Sequence, residues 1–474
     1  MDKVLPSGLR NVFSSLTSKR WVLVILTLFP AILEAIYIKI FGVNVVFWDE
    51  WIFVGYIEKL YANNISFNDL FQQYVEHRIF FPKLIILFLI YVSNFNNIYE
   101  MYFSWILALL ILLLVFLIYK ESFGTSSKMV IYFLPISFLI FSLRQFENIL
   151  WGLQIQIYAC VLGFLTTLYM LEKSNKFDFK FLLAAFGSIF ASYSFANGLA
   201  VWPVGLFFIL FSNKGKGMAV IWSLIGLLAI GIYFYAWESP KFHPSTLFII
   251  EQPVEGLLYL LVNIGSPLAF KVSVAIVFGI ALLVLFLAEI FTLIRYRALK
   301  ENVQWLSLIL FSLITSFGIT ITRAGYGVEQ AFCSRYVTFT LLAIIGIYCL
   351  ALNIYNKDLE NKMHLLLLRA ILLILIAGLI GGNTYGLLAG PSNYVHRTDS
   401  AYYLRTYENQ TDDNLRSLFP NPVALKEMAP ILEKYKLNVF SDAHINANGT
   451  SGSLYEYNMR MINAFIQKHF SRYK

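Results

Sequence analysis

The chain has 474 residues, 58% of them hydrophobic and only 14% charged, with a mean hydropathy of +0.67 and a formal charge of +8. A soluble protein of this length would carry roughly a quarter charged residues, so composition excludes a soluble globular class. The positive excess is accounted for by membrane topology and requires no nucleic-acid partner, and the three cysteines, Cys160, Cys333 and Cys349, form no disulfide framework or metal-ligand spacing.

Many apolar runs approach the ~20 residues that cross a bilayer, so the expected fold is an all-α polytopic membrane protein. Lys3, Arg10, Lys19 and Arg20 precede a first span, Trp21 to Phe41. Positive charge stays cytoplasmic, which places the N-terminus inside and Trp48-Asp49-Glu50-Trp51 outside. The run is too long for a signal peptide and lacks a small-residue cleavage site, so it is read as retained.

The first external loop, residues 42–100, reads as amphipathic juxtamembrane helices. One covers Asp49 to Asn63, and a second starts at Ser66 as N-cap. A third begins at Pro82, a residue suited to a first helical turn. Pro82 to Ser93 has ~12 residues and spans ~18 Å, too short to cross, and is expected to be half-inserted. The second true span is then Met101 to Tyr119. Lysine placement supports this: Lys120, Lys128, Lys173, Lys176 and Lys180 all become cytoplasmic. Further spans follow at Val130 to Leu143, Leu153 to Leu171, Phe181 to Phe195, Leu199 to Phe211 and Ala219 to Trp237. A second half-inserted segment, Gly256 to Phe270, precedes Val272 to Ile294, Val303 to Ile321, Val337 to Asn353 and Leu365 to Leu387. The total is about eleven transmembrane helices. Residues 1–388 thus form a transmembrane domain. Residues 389–474, polar and mixed with a short helix at Val423 to Tyr435, form a small external C-terminal domain. Its Asn409-Gln410-Thr411 and Asn448-Gly449-Thr450 match the glycosylation pattern.

With this topology the unusual polar residues share one face. The first outer loop carries Trp48, Asp49, Glu50, Trp51, Glu76, His77, Arg78 and Lys83. The second carries Arg144, Glu147, Asn148, Trp151 and Gln154, and the third is the turn at Asn197-Gly198. Lys241 and His243 lie in the fourth, and Arg323, Arg335 and Tyr336 in the fifth. Charge at a bilayer edge is costly and points to function. Plainer roles exist for each: Asp49 and Glu50 as helix-capping acids, Trp48 and Trp51 as interface anchors, and Arg144 with Glu147 as a helix-end pair. Arginine is the bidentate ligand of choice for phosphate, which singles out Arg323 and Arg335 around Gly325-Tyr326-Gly327. His77 has no second histidine at helical spacing. The acid pair could hold a divalent cation, but no metal ligands are assigned.

A single span, an external loop with the Asp49-Glu50 pair, amphipathic helices and the Pro82-Lys83 start of a short apolar helix together resemble the GT-C superfamily of membrane glycosyltransferases. The likeness covers the plan of the first ~150 residues; an external C-terminal domain also fits the plan. It implies a polyprenyl-phosphate sugar as donor and an acid of the first loop as base, with Asp49 as the candidate and Glu50 supporting it. No sequon-reading signature is found, which disfavours a peptide acceptor. The expected activity is transfer of a sugar to an O-antigen-like cell-surface glycan, with the bilayer as the site of donor and enzyme. Inverting transfer needs a carboxylate to take the acceptor proton and cations to stabilise the departing phosphate. The competing readings are an O-antigen polymerase or ligase, and a transporter or flippase of lipid-linked saccharides. A transporter would show inverted repeats and polar residues at mid-membrane.

Overall fold

The computed structural model describes residues 20–240, 243–357 and 362–441. Lys3, Arg10, Lys19, Lys241 and the Asn448 sequon lie outside these residues. The described chain is all-α; its only bridge pairs Tyr74 with His77, and it contains no strand among the described residues.

Nine helices among the described residues are long and apolar enough to cross a membrane, so the chain is a polytopic membrane protein. The first is α1 (Arg20–Phe41). The outer loop then forms α2 (Trp51–Tyr61), α3 (Phe67–Phe71) and α4 (Phe80–Ser93). Ser66 caps α3 as expected, accepting from the Asp69 amide while the Asp69 carboxylate accepts from Ser66. Asn94, in left-handed conformation, ends α4, and Asn96 caps α5 (Asn97–Phe123). Next come α6 (Ser127–Ile140), the short α7 (Phe146–Ile149) and α8 (Ile155–Lys173).

The expected count of about eleven spans is not reproduced at two places. Phe181 to Phe195 and Leu199 to Phe211 correspond to α9 (Phe179–Ser192) and α10 (Val201–Phe211), of 14 and 11 residues. At 1.5 Å per residue α9 reaches only about 21 Å, short of the bilayer core. The chain turns here at Gly198, where a Cβ would collide with the Ala191 carbonyl. Because the two short helices are consecutive, later loops keep their sides.

After α11 (Lys216–Phe234), the half-inserted segment is α12 (Phe248–Glu251) and α13 (Pro253–Gly265), closed by a 3-10 turn at Ser266–Leu268. Then come α14 (Val272–Arg295), α15 (Val303–Arg323) and α16 (Val337–Lys357). Helix α16 is buried on every side from Val337 to Leu352, so this mostly apolar helix is the centre of the bundle.

The last long helix among the described residues, α17 (Lys362–Arg405), runs 44 residues through Pro391. The expected domain boundary at residue 388 therefore falls inside a continuous helix. Its buried stripe is Gly378, Gly382, Gly386 and Gly390, then Arg397, Ser400 and Leu404. The glycines allow backbone contact: a Cβ at Gly382 would strike the Pro267 carbonyl, and one at Gly386 the Leu143 carbonyl. Beyond it, α18 (Asp412–Arg416) and α19 (Pro422–Lys434) fold back on the first outer loop. Asn438 makes the joint. Its side chain donates to Asn44 (2.9 Å), Asn97 (2.8 Å) and the Phe95 carbonyl (2.8 Å), and accepts from the Val46 amide (3.2 Å).

The lysine-bearing helix ends meet at the other end of the bundle. Lys173 pairs with Glu121 at 2.7 Å, Lys214 donates to the Glu172 carbonyl, and Lys357 pairs with Glu301. A cavity of about 680 Å³ opens among them.

Candidate active site

Asp49 and Glu50 sit in one 3-10 turn, Trp48–Glu50, entered through Trp48 at φ 49°. Left-handed backbone is costly for so bulky a residue, and strain of this kind gathers at functional sites. Asp49 is half-buried at the rim. Burial pushes its carboxyl above the usual range, Arg335 and then Tyr74 oppose that, and the Glu76 charge adds to it. Tyr74 also donates to the Asp49 backbone carbonyl at 2.9 Å.

Glu50 turns inward and is buried. One oxygen accepts from the Leu153 amide (2.9 Å), the other from the Phe47 amide (3.1 Å) and Asn97 Nδ2 (3.1 Å). Burial pushes its carboxyl up to about 7, against the pull of Arg397 and those donors. A carboxyl walled in this way ties the outer loop to α5 and has no room for an acceptor hydroxyl. Glu50, expected to be catalytic beside Asp49, has both oxygens occupied inside the fold, whereas Asp49 stands at the rim.

Glu76 is the second hub. It follows Val75, another left-handed residue at φ 49°, in a tight hairpin closed by bonds between Tyr74 and His77 of 2.7 and 2.8 Å. Its carboxylate forms an ion pair with Arg323 and faces His77 Nε2 at 3.4 Å and His243 Nε2 at 3.6 Å. Burial alone would raise Glu76, but His77, Arg323 and His243 outweigh it and hold the carboxyl below its ordinary value. Burial lowers His77 and His243, favouring neutral imidazoles. His77 Nδ1 accepts from the Ala196 amide at 3.3 Å, which leaves the proton on Nε2, toward Glu76. Its ring lies on Phe195, 4.0 Å between centroids, so the third outer turn also reaches the site.

A third group is formed by arginines. Arg144, Arg335 and Arg397 all lie in the field of a single carboxylate, Glu147. Glu147 accepts from the Arg335 amide at 3.0 Å and its own amide donates to Ser334 Oγ at 2.9 Å. Asn148 donates to the Arg335 carbonyl at 3.0 Å and to Thr338 at 2.8 Å. Arg144 is fully buried over Phe332 and Tyr385 and donates to the Ala269 and Phe332 carbonyls. Arg397 lies 3.1 Å from the centroid of the Phe47 ring and 5.9 Å from that of Trp151. Arg144 Nη1, Arg335 Nε and Arg397 Nε are buried without a hydrogen-bond partner. Glu50 also faces Arg397 and Asp49 faces Arg335, so the three guanidiniums are set among carboxylates, with one nitrogen of each left as a spare donor for an anion.

The remaining expected site residues have internal work. Arg78 is buried and donates to the carbonyls of Phe71, Tyr233 and Tyr235. Lys83 is buried and donates to the carbonyls of Asp69 (3.1 Å) and Gln72 (3.0 Å). Both brace the outer loop, and neither is free for substrate. Arg323, expected to hold phosphate, is neutralised by Glu76. Trp51 is core, packed near Phe419, whereas Trp48 is 43% exposed beside Asp49. Gln154 is buried, and the Tyr336 hydroxyl is held by Gln330 at 2.8 Å. Among the described residues no group of three or more His, Cys, Asp or Glu could hold a metal ion. The Glu76 oxygens are already occupied by Arg323 and the two histidines.

Sequence reasoning missed Arg397, because its surroundings read as a soluble domain. A signal was present: seven residues after Gly390, it continues the face marked by the four-residue glycine repeat.

No family model matches the chain, and no solved structure does. An uncharacterized protein of Archaeoglobus fulgidus is 27% identical over 244 residues, covering 45% of this chain. The match spans 62% of that relative, less than two thirds of its length.

Proposed function

We propose that the chain is a membrane glycosyltransferase of the inverting, GT-C-like type. It moves a hexose from a polyprenyl-phosphate donor to an O-antigen-like glycan on the outer, periplasmic face of a bacterial inner membrane. The observation that carries this reading is the setting of Asp49. A half-buried carboxylate with a raised pKa faces Arg335, which has a buried nitrogen without a hydrogen-bond partner. In this reading Asp49 takes the proton of the acceptor hydroxyl as it attacks the anomeric carbon. Arg335, with Arg144 and Arg397, holds the donor phosphate and stabilises the charge it gains as the glycosidic bond to it breaks. Trp48 offers an exposed ring to a sugar face at the entrance. The test is incubation of the purified full-length protein with defined polyprenyl-phosphate sugars and a glycan acceptor. Release of polyprenyl phosphate with glycosylated acceptor is expected; no release with any donor would reject the reading.

A second reading, transport of a lipid-linked saccharide, draws on Glu289. This residue lies within α14, fully buried, and neither of its carboxyl oxygens has a hydrogen-bond partner. Polar groups inside the bilayer are a transporter's mark. Movement of a labelled lipid-linked sugar across proteoliposomes, without its cleavage, would favour it.

A further inference from the structure

Beneath the outer loop, five oxygen atoms are buried without a hydrogen-bond partner. They are Glu34 Oε2 on α1, Glu100 Oε1 and Ser104 Oγ on α5, Gln154 Oε1 at the entrance to α8, and the Tyr158 hydroxyl on α8. All five residues are 2% exposed or less. They are neighbours. Trp105 Nε1 donates to the Ala31 carbonyl and the Tyr102 hydroxyl to the Ala35 carbonyl, which sets Glu34 level with Ser104. Ser104 lies one turn below Glu100 on the same face. Gly152, at the head of α8, abuts the Glu100 carboxyl so closely that a Cβ would collide with it. Tyr158 is within the electrostatic reach of Glu34. At the top, Asn97 Nδ2 donates to both Glu100 (2.9 Å) and Glu50 (3.1 Å).

The polar residues thus descend from Glu50 through Asn97 and Glu100 to Ser104 on α5, with Glu34 on α1 at about the same depth and Tyr158 in its field. From Asn97 to Ser104 the descent is about 10 Å into the bundle. Polar atoms without partners at this depth are costly, and a polar lining is what buried water requires. An acid inside a membrane with no counter-charge marks a site.

We propose that this seam is a proton relay, in which a file of ordered water connects the Glu50–Glu100 pair at the outer loop with Glu34 inside the bilayer. A proton leaving one carboxyl passes to the adjacent water while that water gives one to the acid that is ionised, so the file is unchanged and a single proton vacancy moves among the three acids. Arg397 from α17 and Asp49 face Glu50, Glu50 faces Glu100, and Tyr158 from α8 faces Glu34. Among the described residues no cation balances Glu34 or Glu100 directly, so the proton is their natural ligand. The relay is independent of glycosyl transfer, and its test measures no turnover.

The test is infrared spectroscopy of the full-length protein in lipid nanodiscs during exchange from H2O to D2O. The protonated-carboxyl absorption of wild type should shift on exchange, and Glu34→Gln should remove one component of it. The Ser104→Ala/Tyr158→Phe variant should retain that component and slow its shift. Glu34→Asp keeps the acid and should displace the component, which covers the case of Glu34→Gln failing to accumulate. A component that does not shift in D2O would show a dry seam and overturn the relay. Loss of the component on adding sodium would assign the five oxygens to a cation and overturn it equally.

Discussion

Asp49 and Glu50 are adjacent in the chain and opposite in setting. Asp49 faces Arg335 from a half-buried rim, whereas both Glu50 oxygens are consumed by Leu153, Phe47 and Asn97 inside the fold. One carboxylate faces the rim and the other is tied into the fold.

Asp49→Asn should therefore abolish proton transfer without unfolding the protein. General-base loss typically costs ~100-fold to ~10,000-fold in rate. Turnover near wild type at normal expression would mean that Asp49 is only a cap, a role Asn fills equally well. The acid limb of the wild-type rate profile should lie above the usual carboxylate range, because Asp49 must be ionised and burial raises its pKa. Removing the opposing charge with Arg335→Ala should move that limb to still higher pH.

Glu50→Gln should give the reverse pattern. An amide in this pocket presents a donor where three N–H groups already point, a mismatch worth about 1–3 kcal/mol of stability. Thermal unfolding should shift down below about pH 7, and the difference from wild type should narrow at higher pH, while turnover per folded molecule survives. The folded-state pKa, about 7, lies above the unfolded value, so stabilisation by Glu50 is complete below the ordinary carboxylate range and lost as pH rises through about 7. The glutamine variant should lack that pH-dependent loss. A hundredfold drop in turnover at unchanged stability would return Glu50 to the catalytic role.

The two arginines of the fifth outer loop should separate. Arg335 has spare donors beside Asp49, and losing its fork to lysine should weaken donor use about tenfold or more, since hydrogen bonds to charged groups are worth about 1.5–3 kcal/mol. Arg323→Lys, whose charge is spent on Glu76, should leave donor affinity close to wild type. Equal losses in donor titrations of the two variants would reject this division.

Acid should loosen the Glu76 cluster. His77 and Glu76 both have folded-state pKa values below their ordinary ones, so the unfolded chain binds more protons. The stability they contribute is present at neutral pH and is lost as pH falls, first through the ordinary imidazole range and then through the carboxylate range. Hydrogen exchange at the Tyr74–His77 hairpin should accelerate on acidification, and Glu76→Gln should remove the carboxylate part of that response while enlarging the imidazole part, because Glu76 is the charge that holds the His77 proton. A pH-independent rate would contradict the assignment.

The legible parts of this molecule were those written in charge and hydropathy. Lysine placement kept α4 from being counted as a span, and the outer-loop acids and arginines were recognised as one rim. Contacts within that rim were not legible. Whether Arg323 or Arg335 would be free depended on where Glu76 landed, which a 247-residue separation conceals. Arg78 and Lys83 carry the same charge as a ligand-binding residue would, and only their carbonyl partners reveal a bracing role. The short α9 and α10 were counted as spans because their apolar content is continuous, while the close approach of Gly198 to Ala191 that bends the chain between them is a tertiary fact.

The glycine stripe of α17 also sets the height of the arginine group. At Gly382 and Gly386 the helix lies so close to the carbonyls of Pro267 and Leu143 that any side chain there would be driven into backbone. Arg397 lies on the same continuous helix, eleven residues beyond Gly386 or about 16 Å along its axis. There its guanidinium covers the Phe47 ring and faces Glu50 and Glu147. Bulk introduced at Gly382 or Gly386 should therefore lift α17 from its seat and misplace an arginine that neither glycine touches.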